Sequence, residues 1–339
     1  MENITWKDTL KVKVKSNLKG RGILVSLILL WVIFFISNEN FRRIDSYLSI
    51  LREASFVGVA AIGMTFCIII KAMDLSIGAM IGLLAIITLS IVGKLGLITT
   101  IIIILIFGAI FGVINGFLYA KLGLPSFIAT LAMSYIYKAI ALIYSKGKPI
   151  QFNEKSFTVI GNGNFLGIPV PFIIFIGLAL LGTIILRKTI LGRQILATGN
   201  SEKASYLSGI DISKVKIIVF ALVGIFTAIA AILISSRLWS ANADMKIGYE
   251  FDVIAVVVLG GTSLKGGKGS IFDTVIASIF FASIYTGMNM FHIGAYMQKI
   301  VEGIILVVAF SRGGGGQLIQ SKLKENKVAN VKKNQEENK

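Results

Sequence analysis

The chain has very few of the side chains on which most catalytic and metal sites depend. Its 339 residues include one cysteine and one histidine. The lone Cys67 lies within an apolar run, which excludes an internal disulfide and predicts a packed thiol. One histidine and one cysteine cannot form a zinc-type ligand cluster, so we expect no metal site. No paired carboxylates or nucleophile–base set stand out either. The sequence therefore predicts no catalytic residue, and a membrane-bound enzyme is the least favoured interpretation.

Charged side chains are also scarce. They make up 15% of the chain and hydrophobic residues make up 55%, whereas soluble domains carry about 25% charged residues. A hydrocarbon core about 30 Å thick takes about 20 apolar residues per helix. Because the apolar runs are continuous and do not alternate, they predict an all-α membrane protein, a polytopic bundle of about ten transmembrane helices, some of them interrupted. The predicted spans are Ile23–Ile36, Phe56–Ile70, Leu75–Val92, Leu97–Ala120, Pro125–Tyr144, Pro169–Leu186, Ile217–Ile234, Phe251–Gly261, Ile271–Met288 and Tyr296–Phe310.

The charge that is present is mostly positive, with a formal net charge of +17. If the N-terminus is cytoplasmic, most Lys and Arg residues fall on the cytoplasmic side of the predicted spans, which is the positive-inside pattern. Arg42, Arg43 and Arg52 run against it. The distribution favours a multi-pass protein of the membrane with both termini cytoplasmic, and it argues against nucleic acid as a partner.

Three regions follow from this topology. Residues 1–22 form a basic cytoplasmic N-terminus, residues 23–310 the transmembrane domain, and residues 311–339 a flexible basic cytoplasmic tail. The first span follows a Lys-rich leader, but Ser37-Asn38-Glu39 offers no small-x-small cleavage pattern, so we expect a retained helix.

Two predicted spans are too short to cross the bilayer. Phe56–Ile70 reaches roughly 22 Å, and a new apolar run begins after Asp74. Phe251–Gly261 is followed by TSLKGGKGS before apolar sequence restarts at Ile271. Short, interrupted segments of this kind mark the substrate path of transporters, because broken backbone at membrane depth must be satisfied by protein or by a water-filled cavity.

Asp74 is the most informative residue of these interruptions. It can cap the following helix by accepting amide hydrogen bonds from Ser76 or Ile77, and it can line a pathway; the two roles are compatible. Lys299 and Glu302 are spaced to pair on one helix face, which favours a partnered Glu302 over a proton-carrying one.

A path for an uncharged polar solute needs polar walls and close-packed turns. A polar residue of this kind more often packs helices together. The candidates for the translocation path are Thr65, Asp74, Ser76, Gly78, Asn115, Ser134, Gly260, Gly261 and Asn289.

The glycine-rich stretch Gly260–Ser270 invites comparison with a phosphate-binding loop. That motif needs a glycine, four residues and then Gly-Lys-Ser/Thr. Here Gly267-Lys268 is followed by Gly269, and Thr262 stands where the first glycine should be. A bent connection between two spans explains these glycines better, and we expect no ATP site in this chain.

The polar segment 187–216, RKTILGRQILATGNSEKASYLSGIDISKVK, separates two long apolar runs. Asn200 or Ser201 can cap a short helix from Glu202 to Ser208, which Gly209 can end in the left-handed conformation. A helix this short is not stable alone. The segment is therefore either an interfacial helix or the place where a cytoplasmic partner docks.

Four stretches together resemble the membrane permease subunits of bacterial ABC importers for simple sugars, the ribose-type family. They are ILREASFVGVAAIGMTFCII with DLSIGAMIGL, NGFLYAKLGLPSFIATLAM, LGRQILATGNSEKASYLSGIDISKVK and GYEFDVIAVVVLGGTSLKGGKGSIFDTVIAS. They span about 50–310, which is most of the chain. The sequence departs from the family at KAMD (71–74), where relatives usually have a glycine-rich turn.

The resemblance implies a homodimeric permease in the bacterial cytoplasmic (inner) membrane. It implies three partners besides the lipid bilayer: a cytoplasmic ABC ATPase that carries the ATP and Mg, an extracytoplasmic sugar-binding protein and a second copy of the chain. This chain itself would hold no cofactor. The family's ATPase-docking loop matches Glu202, Ala204 and Gly209, although Lys203 intervenes and the spacing to glycine is one residue longer. The ATPase-coupling residues implied are Gly192, Arg193, Gly199, Asn200, Glu202, Ala204 and Gly209.

The expected function is therefore translocation of a ribose-like monosaccharide by alternating access, with ATP hydrolysis on another chain. Two alternatives stay open. A permease for branched-chain amino acids would present charges complementary to the ammonium and carboxylate of its substrate. An ion-coupled secondary carrier would use buried ionisable groups and would need no ATPase.

Overall fold

The computed structural model describes residues 22–152 and 154–311. The predicted basic N-terminus (1–22) and basic tail (311–339) therefore lie almost wholly outside the described residues, and the predictions about them stay predictions.

The described chain is built mainly of helices, joined by short connections. A short 3₁₀ turn, Glu39–Arg42, follows the first helix. The α-helices of the described residues are α1 Gly22–Ser37, α2 Ile44–Ile69, α3 Ile77–Leu95, α4 Leu97–Ala120, α5 Ser126–Ser145, α6 Lys155–Asn162, α7 Val170–Lys188, α8 Ile190–Asn200, α9 Glu202–Leu207, α10 Ile212–Leu238, α11 Tyr249–Leu259, α12 Ile271–Met290 and α13 Ala295–Phe310.

Two small antiparallel ladders join connections at one end of the bundle. β1 Ile150–Gln151 pairs with β4 Ser240–Ala241, with Ile150 opposite Ala241. β2 Asn164–Phe165 forms a hairpin with β3 Ile168–Pro169. Sequence reasoning did not predict these strands, because two-residue strands carry too little alternation to be recognised.

Each of the ten predicted apolar segments overlaps a helix of the structure, which supports the all-α class. Seven helices (α2, α3, α4, α5, α7, α10 and α12) are long and apolar enough to cross a membrane. α1 and α13 have 16 residues each, and α11 has 11. The prediction of about ten crossings is therefore only partly supported.

The prediction that Phe56–Ile70 is a short span is wrong. α2 begins at Ile44 and has 26 residues. Arg52 interrupts the apolar pattern but not the helix, because its guanidinium donates a hydrogen bond of 3.0 Å to the side chain of Asn164. The interruption predicted after this span is real, since α2 ends at Ile69 and α3 begins only at Ile77.

The polar segment 187–216 contains far more helix than predicted. α7 runs on to Lys188, α8 occupies Ile190–Asn200, and α10 begins at Ile212, five residues before the predicted start at Ile217. Asp211 caps α10 by accepting from the amide of Lys214 at 2.9 Å. The first turn of α10 was missed because its residues are polar, and hydropathy alone marks only the apolar part of a long helix.

α2 is the central helix of the bundle, and α4, α5 and α7 are peripheral. In α2, 89% of the most apolar 18-residue window is buried, against 22% in α4 and 28% in α5 and in α7. α2 packs against α7, α10, α11 and α12. Peripheral helices of this kind leave large apolar faces on the outside of the chain.

The most extensive helix–helix contact is between α4 and α10, which cross through glycines. An added Cβ at Gly224 would collide with the carbonyl oxygen of Gly108, and one at Gly112 with the carbonyl oxygen of Phe220. Small residues let two helix backbones approach closely, which is how helices associate in lipid.

Replacing Gly224 with alanine is therefore expected to destabilise the bundle by about 2 kcal/mol or more, because the new methyl group meets backbone that cannot yield. Thermal unfolding of the detergent-purified protein measures this loss. Gly177→Ala on α7 is the matched control, since no atom lies within 4 Å of its added Cβ. Equal stability of the two variants would contradict the crossing described.

The helices define two ends of the bundle. The end of α2, the end of α4 and the start of α10 lie at one end together with α8 and α9, and the Ser213 hydroxyl donates to the Ala120 carbonyl there at 3.4 Å. We call this the α8 end. The β1–β4 ladder marks the opposite, or sheet, end, where the amide of Phe152 donates to the carbonyl of Trp239 at 3.1 Å.

Candidate functional site

The interruption between α2 and α3 is organised around Asp74, which is fully buried. One carboxylate oxygen of Asp74 accepts hydrogen bonds from the amide and the hydroxyl of Ser76, at 2.8 and 2.6 Å. The predicted hydrogen bond from the Ser76 amide is therefore confirmed. The predicted role of Asp74 as the cap of α3 is wrong, because the N-cap of α3 is Ser76, two residues further on, and no side chain caps this helix. The chain reaches this position through Lys71, whose φ of 62° is in the left-handed region.

The other carboxylate oxygen of Asp74 accepts from the side-chain amide of Asn115 on α4 at 3.1 Å. The same amide donates to the Ser76 hydroxyl at 2.8 Å. The Asn115 oxygen in turn accepts from the Tyr137 hydroxyl of α5 at 3.1 Å. Asp74, Ser76, Asn115 and Tyr137 thus form one buried network, which we call the Asp74 network.

Helix α5 also holds the backbone of this interruption. The Ser126 hydroxyl accepts from the amide of Met73 at 3.2 Å, and the Thr130 hydroxyl accepts from the amide of Leu75 at 2.9 Å. Sequence reasoning missed Ser126, Thr130 and Tyr137. Ser126 and Thr130 could have been found from their four-residue spacing directly after Pro125, which places both hydroxyl groups on one helix face.

A second irregular segment, residues 242–248, lies between β4 and α11. It runs against α3, where an added Cβ at Gly82 would lie 3.0 Å from the carbonyl oxygen of Ala243, and one at Gly78 would collide with the carbonyl of Lys246. Asp244 in this segment pairs with Lys138 of α5 at 2.7 Å. Gly78 was predicted as a path residue, whereas segment 242–248 itself was not singled out.

The second predicted interruption, Gly260–Ser270, is present between α11 and α12. Gly261 has a φ of 81°, and Ser270 caps α12 by accepting from the amide of Asp273 at 3.3 Å. Thr65 of α2 and Thr274 of α12 join across the bundle through their hydroxyls, 3.0 Å apart. Thr65, Gly260 and Gly261 are thus separate from the Asp74 network.

Two predicted path residues lie apart from both interruptions. Ser134 is half-buried on α5, and its hydroxyl donates to the carbonyl of Leu131 at 2.7 Å, within the same helix. Asn289 is exposed at the sheet end, where its oxygen accepts from Gln298 at 2.7 Å. The structure does not join either one to the Asp74 network.

The pairing predicted for Lys299 and Glu302 is confirmed, with a distance of 2.7 Å between Nζ and Oε2. The Tyr285 hydroxyl of α12 donates to the same Glu302 oxygen at 2.8 Å. Cys67 is buried, as predicted. Among residues 22–152 and 154–311, no group of three or more His, Cys, Asp or Glu residues is arranged to hold a metal ion.

The polar segment forms two helices with a sharp joint between them. Thr189 caps α8 by accepting from the amide of Gly192 at 3.1 Å, and an added Cβ at Gly192 would collide with the carbonyl of Leu186. Arg193 is exposed. α8 packs against α2, α7 and α10, so this part of the segment is anchored to the membrane helices.

α9 is capped by Ser201, whose hydroxyl accepts from the amide of Ala204 at 3.2 Å. Of the two predicted caps, Ser201 is therefore the one used. The helix ends before Gly209, whose φ of 81° is left-handed, as predicted. Glu202 does not point freely into solvent, because its carboxylate pairs with Lys216 of α10 at 2.9 Å.

The outward face of α9 carries two large apolar side chains beside the exposed Lys203. The side chains of Tyr206 and Leu207 are 72% and 76% exposed, which is unusual on a segment otherwise rich in charge. A short capped helix tied to α10 by an ion pair presents these two side chains in a fixed position at the α8 end.

These features are those of a multi-pass membrane permease: apolar helices, interruptions lined by satisfied polar groups, and a helix presented at one end. The family model for the permease component of branched-chain amino acid transport systems matches residues 46–310. The chain therefore belongs to this permease family.

Individual relatives narrow the comparison. The chain is 38% identical to the ribose import permease protein RbsC of Haemophilus influenzae, over 84% of this chain and 90% of the relative. It is 38% identical to RbsC of Bacillus subtilis, over 85% and 90%. It is 34% identical to the L-arabinose transport system permease protein AraH of Escherichia coli K12, over 85% and 88%. No solved structure shows a significant match to the chain.

Proposed function

We propose that this chain is the membrane-spanning permease subunit of an ATP-driven ABC importer and that it translocates a simple, ribose-like sugar by alternating access. The observation that carries the proposal is the similarity to ribose import permeases along 84–85% of the chain. The arabinose permease relative supports a monosaccharide in the same way, and another relative is named as a probable ABC transporter permease.

The proposed topology has about ten crossings, in which α1, α11 and α13 complement the seven longer helices. A helix of 16 residues reaches about 24 Å, short of a core about 30 Å thick. In this topology the residues that flank α1 and α13, and segment 242–248 before α11, complete the crossings. The α8 end faces the cytoplasm, because the polar segment contains Arg187, Lys188, Arg193 and Lys203 and the positive-inside rule retains such segments. The proposed cellular location is the bacterial inner membrane, with both termini of the chain in the cytoplasm.

The proposed partner at the α8 end is a cytoplasmic ABC ATPase that carries the ATP and Mg. Tyr206 and Leu207 on α9 are the proposed contacts, since exposed apolar side chains on a small helix suit insertion into a cleft. The Glu202–Lys216 pair would transmit force from α9 to α10. At the sheet end we propose an extracytoplasmic sugar-binding protein, and the peripheral apolar faces would contact lipid and a second copy of the chain.

In this proposal the two interruptions and segment 242–248 open and seal the sugar path. The Asp74 network would join the first interruption to α4 and α5, so that these elements move together. A buried network with its hydrogen bonds satisfied suits this role, because it adopts one well-defined arrangement.

Transport by the reconstituted complex tests the proposal. The chain is co-expressed with its ATPase and binding-protein partners and placed in proteoliposomes, and uptake of radiolabelled D-ribose, L-arabinose and L-leucine is measured with and without ATP. We expect ATP-dependent uptake of a monosaccharide that L-leucine does not inhibit. The family description favours L-leucine as the second candidate substrate, and ATP-dependent leucine uptake would replace the sugar assignment.

Uptake that persists without the ATPase and follows an ion gradient would instead indicate a secondary carrier. The paired state of Glu302 favours a structural role over that mechanism, because Lys299 and Tyr285 supply partners for its carboxylate at 2.7 and 2.8 Å.

A further inference from the structure

Three segments that are far apart in sequence meet at the α8 end. They are the end of α2 with the residues that follow it (69–71), the joint between α8 and α9 (199–200), and the loop between α11 and α12 (266–267). The amide of Gly267 donates to the carbonyl of Ile69 at 2.9 Å. The Lys71 ammonium donates to the carbonyl of Asn200 at 3.4 Å. We call these three segments the glycine junction.

Glycine is required at this meeting point for steric reasons. An added Cβ at Gly199 would collide with the Ile69 carbonyl oxygen and lie 2.6 Å from the Gly267 nitrogen. One at Gly266 would lie 2.7 Å from the Gly199 carbonyl oxygen and 2.9 Å from that of Ile69. The contacts are between backbones, which cannot move aside as flexible side chains do.

The position of the junction connects three elements that the proposed mechanism needs. Gly199 and Asn200 end α8 and lead directly into α9, the proposed ATPase contact. Ile69–Lys71 begins the first interruption, which continues to the buried Asp74. Gly266 and Gly267 lie inside the second interruption. A displacement of α9 therefore reaches both interruptions through direct backbone contact rather than through a flexible loop.

We propose that the glycine junction is the rigid link by which movement of α9 drives both interruptions together, with Gly199 and Gly267 as positioning residues for coupled transport. This inference rests on the proposed function, because it assigns a role within an ATP-driven importer. It goes beyond that function in naming which residues carry the movement and in requiring both interruptions to respond as one unit.

The first test separates coupling from folding. Gly199→Ala is reconstituted with the ATPase and binding protein, and sugar uptake and ATP hydrolysis are measured on the same vesicles. We expect ATPase association to be retained, ATP hydrolysis to stay within about twofold of the wild type, and the amount of sugar moved per ATP to fall at least about tenfold. Gly177→Ala, with no atom within 4 Å of the new Cβ, is the matched control. An unchanged ratio in Gly199→Ala overturns the proposal.

A second pair of variants keeps the test valid if Gly199→Ala does not assemble. An added Cβ at Gly267 would collide with the side chain of Asn200, while the Asn200 Cα would be 3.1 Å away. Gly267→Ala should therefore uncouple transport, and Gly267→Ala with Asn200→Gly should regain at least half of the sugar moved per ATP. Both variants share the backbone strain at position 267, where φ is 72°. An equal loss of sugar moved per ATP in both variants would mean that the backbone strain at position 267 causes the defect. That result would overturn the proposal for the glycine junction.

Sugar uptake by wild-type vesicles distinguishes a failure of the proposed function from a failure of the proposal for the glycine junction. If wild-type vesicles show no ATP-dependent sugar uptake, the proposed function fails before any variant is compared. If wild-type uptake is normal and the variants keep its ratio of sugar to ATP, the function stands and the junction alone is rejected.

Discussion

Replacing Asp74 with alanine is expected to lower the free energy of unfolding by about 3 kcal/mol and to abolish transport. The alanine leaves the Ser76 amide, the Ser76 hydroxyl and the Asn115 amide without the carboxylate that accepts from all three. Because Asp74 is fully buried, water cannot replace these hydrogen bonds at low cost. Thermal unfolding in detergent and uptake by proteoliposomes measure the two effects.

Asp74→Asn distinguishes the hydrogen bonds from the charge. The amide group introduced by this substitution would face the Asn115 amide, so two donors would meet unless Asn115 turned over. Turned over, Asn115 can accept from the introduced amide and donate to the Tyr137 hydroxyl, which still donates to the Phe111 carbonyl at its present 3.1 Å. Only the donation from Asn115 to the Ser76 hydroxyl is lost. We therefore expect Asp74→Asn to keep most of the stability that Asp74→Ala loses.

Thr88→Val is the matched control for this series. Thr88 is also fully buried, but its hydroxyl donates only to the carbonyl of Leu84 within α3, at 2.6 Å. We expect a loss below about 1 kcal/mol for this variant. If Asp74→Ala were no less stable than Thr88→Val, the Asp74 network would not support the first interruption.

Replacing both Tyr206 and Leu207 with aspartate is expected to weaken binding of the ATPase at least tenfold, that is by about 1.4 kcal/mol or more. These are the two large exposed apolar side chains of α9, and a charge placed in an apolar cleft adds a desolvation cost to the lost contact area. The capping hydroxyl of Ser201 and the Glu202–Lys216 pair are untouched, so α9 itself should persist. Co-purification and titration with the purified ATPase measure the change.

Leu166→Asp provides the control for this experiment. Leu166 is 87% exposed at the sheet end of the bundle, in the turn of the β2–β3 hairpin. This substitution adds one negative charge, half of that added to α9, to a similarly exposed leucine, in a backbone conformation (φ 51°) that aspartate tolerates. ATPase binding should be unchanged in this variant. Equal weakening by both variants would mean that α9 is not the docking element.

The contacts of Glu202 revise how the polar segment is understood. The family resemblance pointed to the stretch from Glu202 to Gly209 as the ATPase contact, with Glu202 among the matching residues. The structure pairs Glu202 with Lys216 at 2.9 Å, and Lys216 lies over the Tyr119 ring at 4.4 Å. Glu202 therefore fixes α9 to the bundle, while the exposed apolar residues after it are the better candidates for contact.

The amino-acid sequence alone determined the class of this protein. Long apolar runs can satisfy their backbone in lipid only as helices, so the all-α bundle and the broken segments after Ile69 and before Ile271 could be predicted from local pattern. The hydrogen bond from the Ser76 amide to Asp74 could be predicted in the same way. The Ser201 cap and the Gly209 end of α9 could be predicted for the same reason, since they depend on neighbours within a few residues. The Thr189 and Asp211 caps were not predicted.

Only the tertiary structure decided which of these segments meet. Nothing in the local sequence relates Gly199 to Ile69 and Gly267, or Asp74 to Asn115 and Tyr137, because such contacts depend on how the helices pack. The same limit explains why Ser134 and Asn289 were grouped with Asp74 although they lie apart, and why the helix that contains Arg52 was predicted to begin after it. A buried polar residue in a membrane segment needs hydrogen-bond partners, and the packing of the helices determines which residues those are.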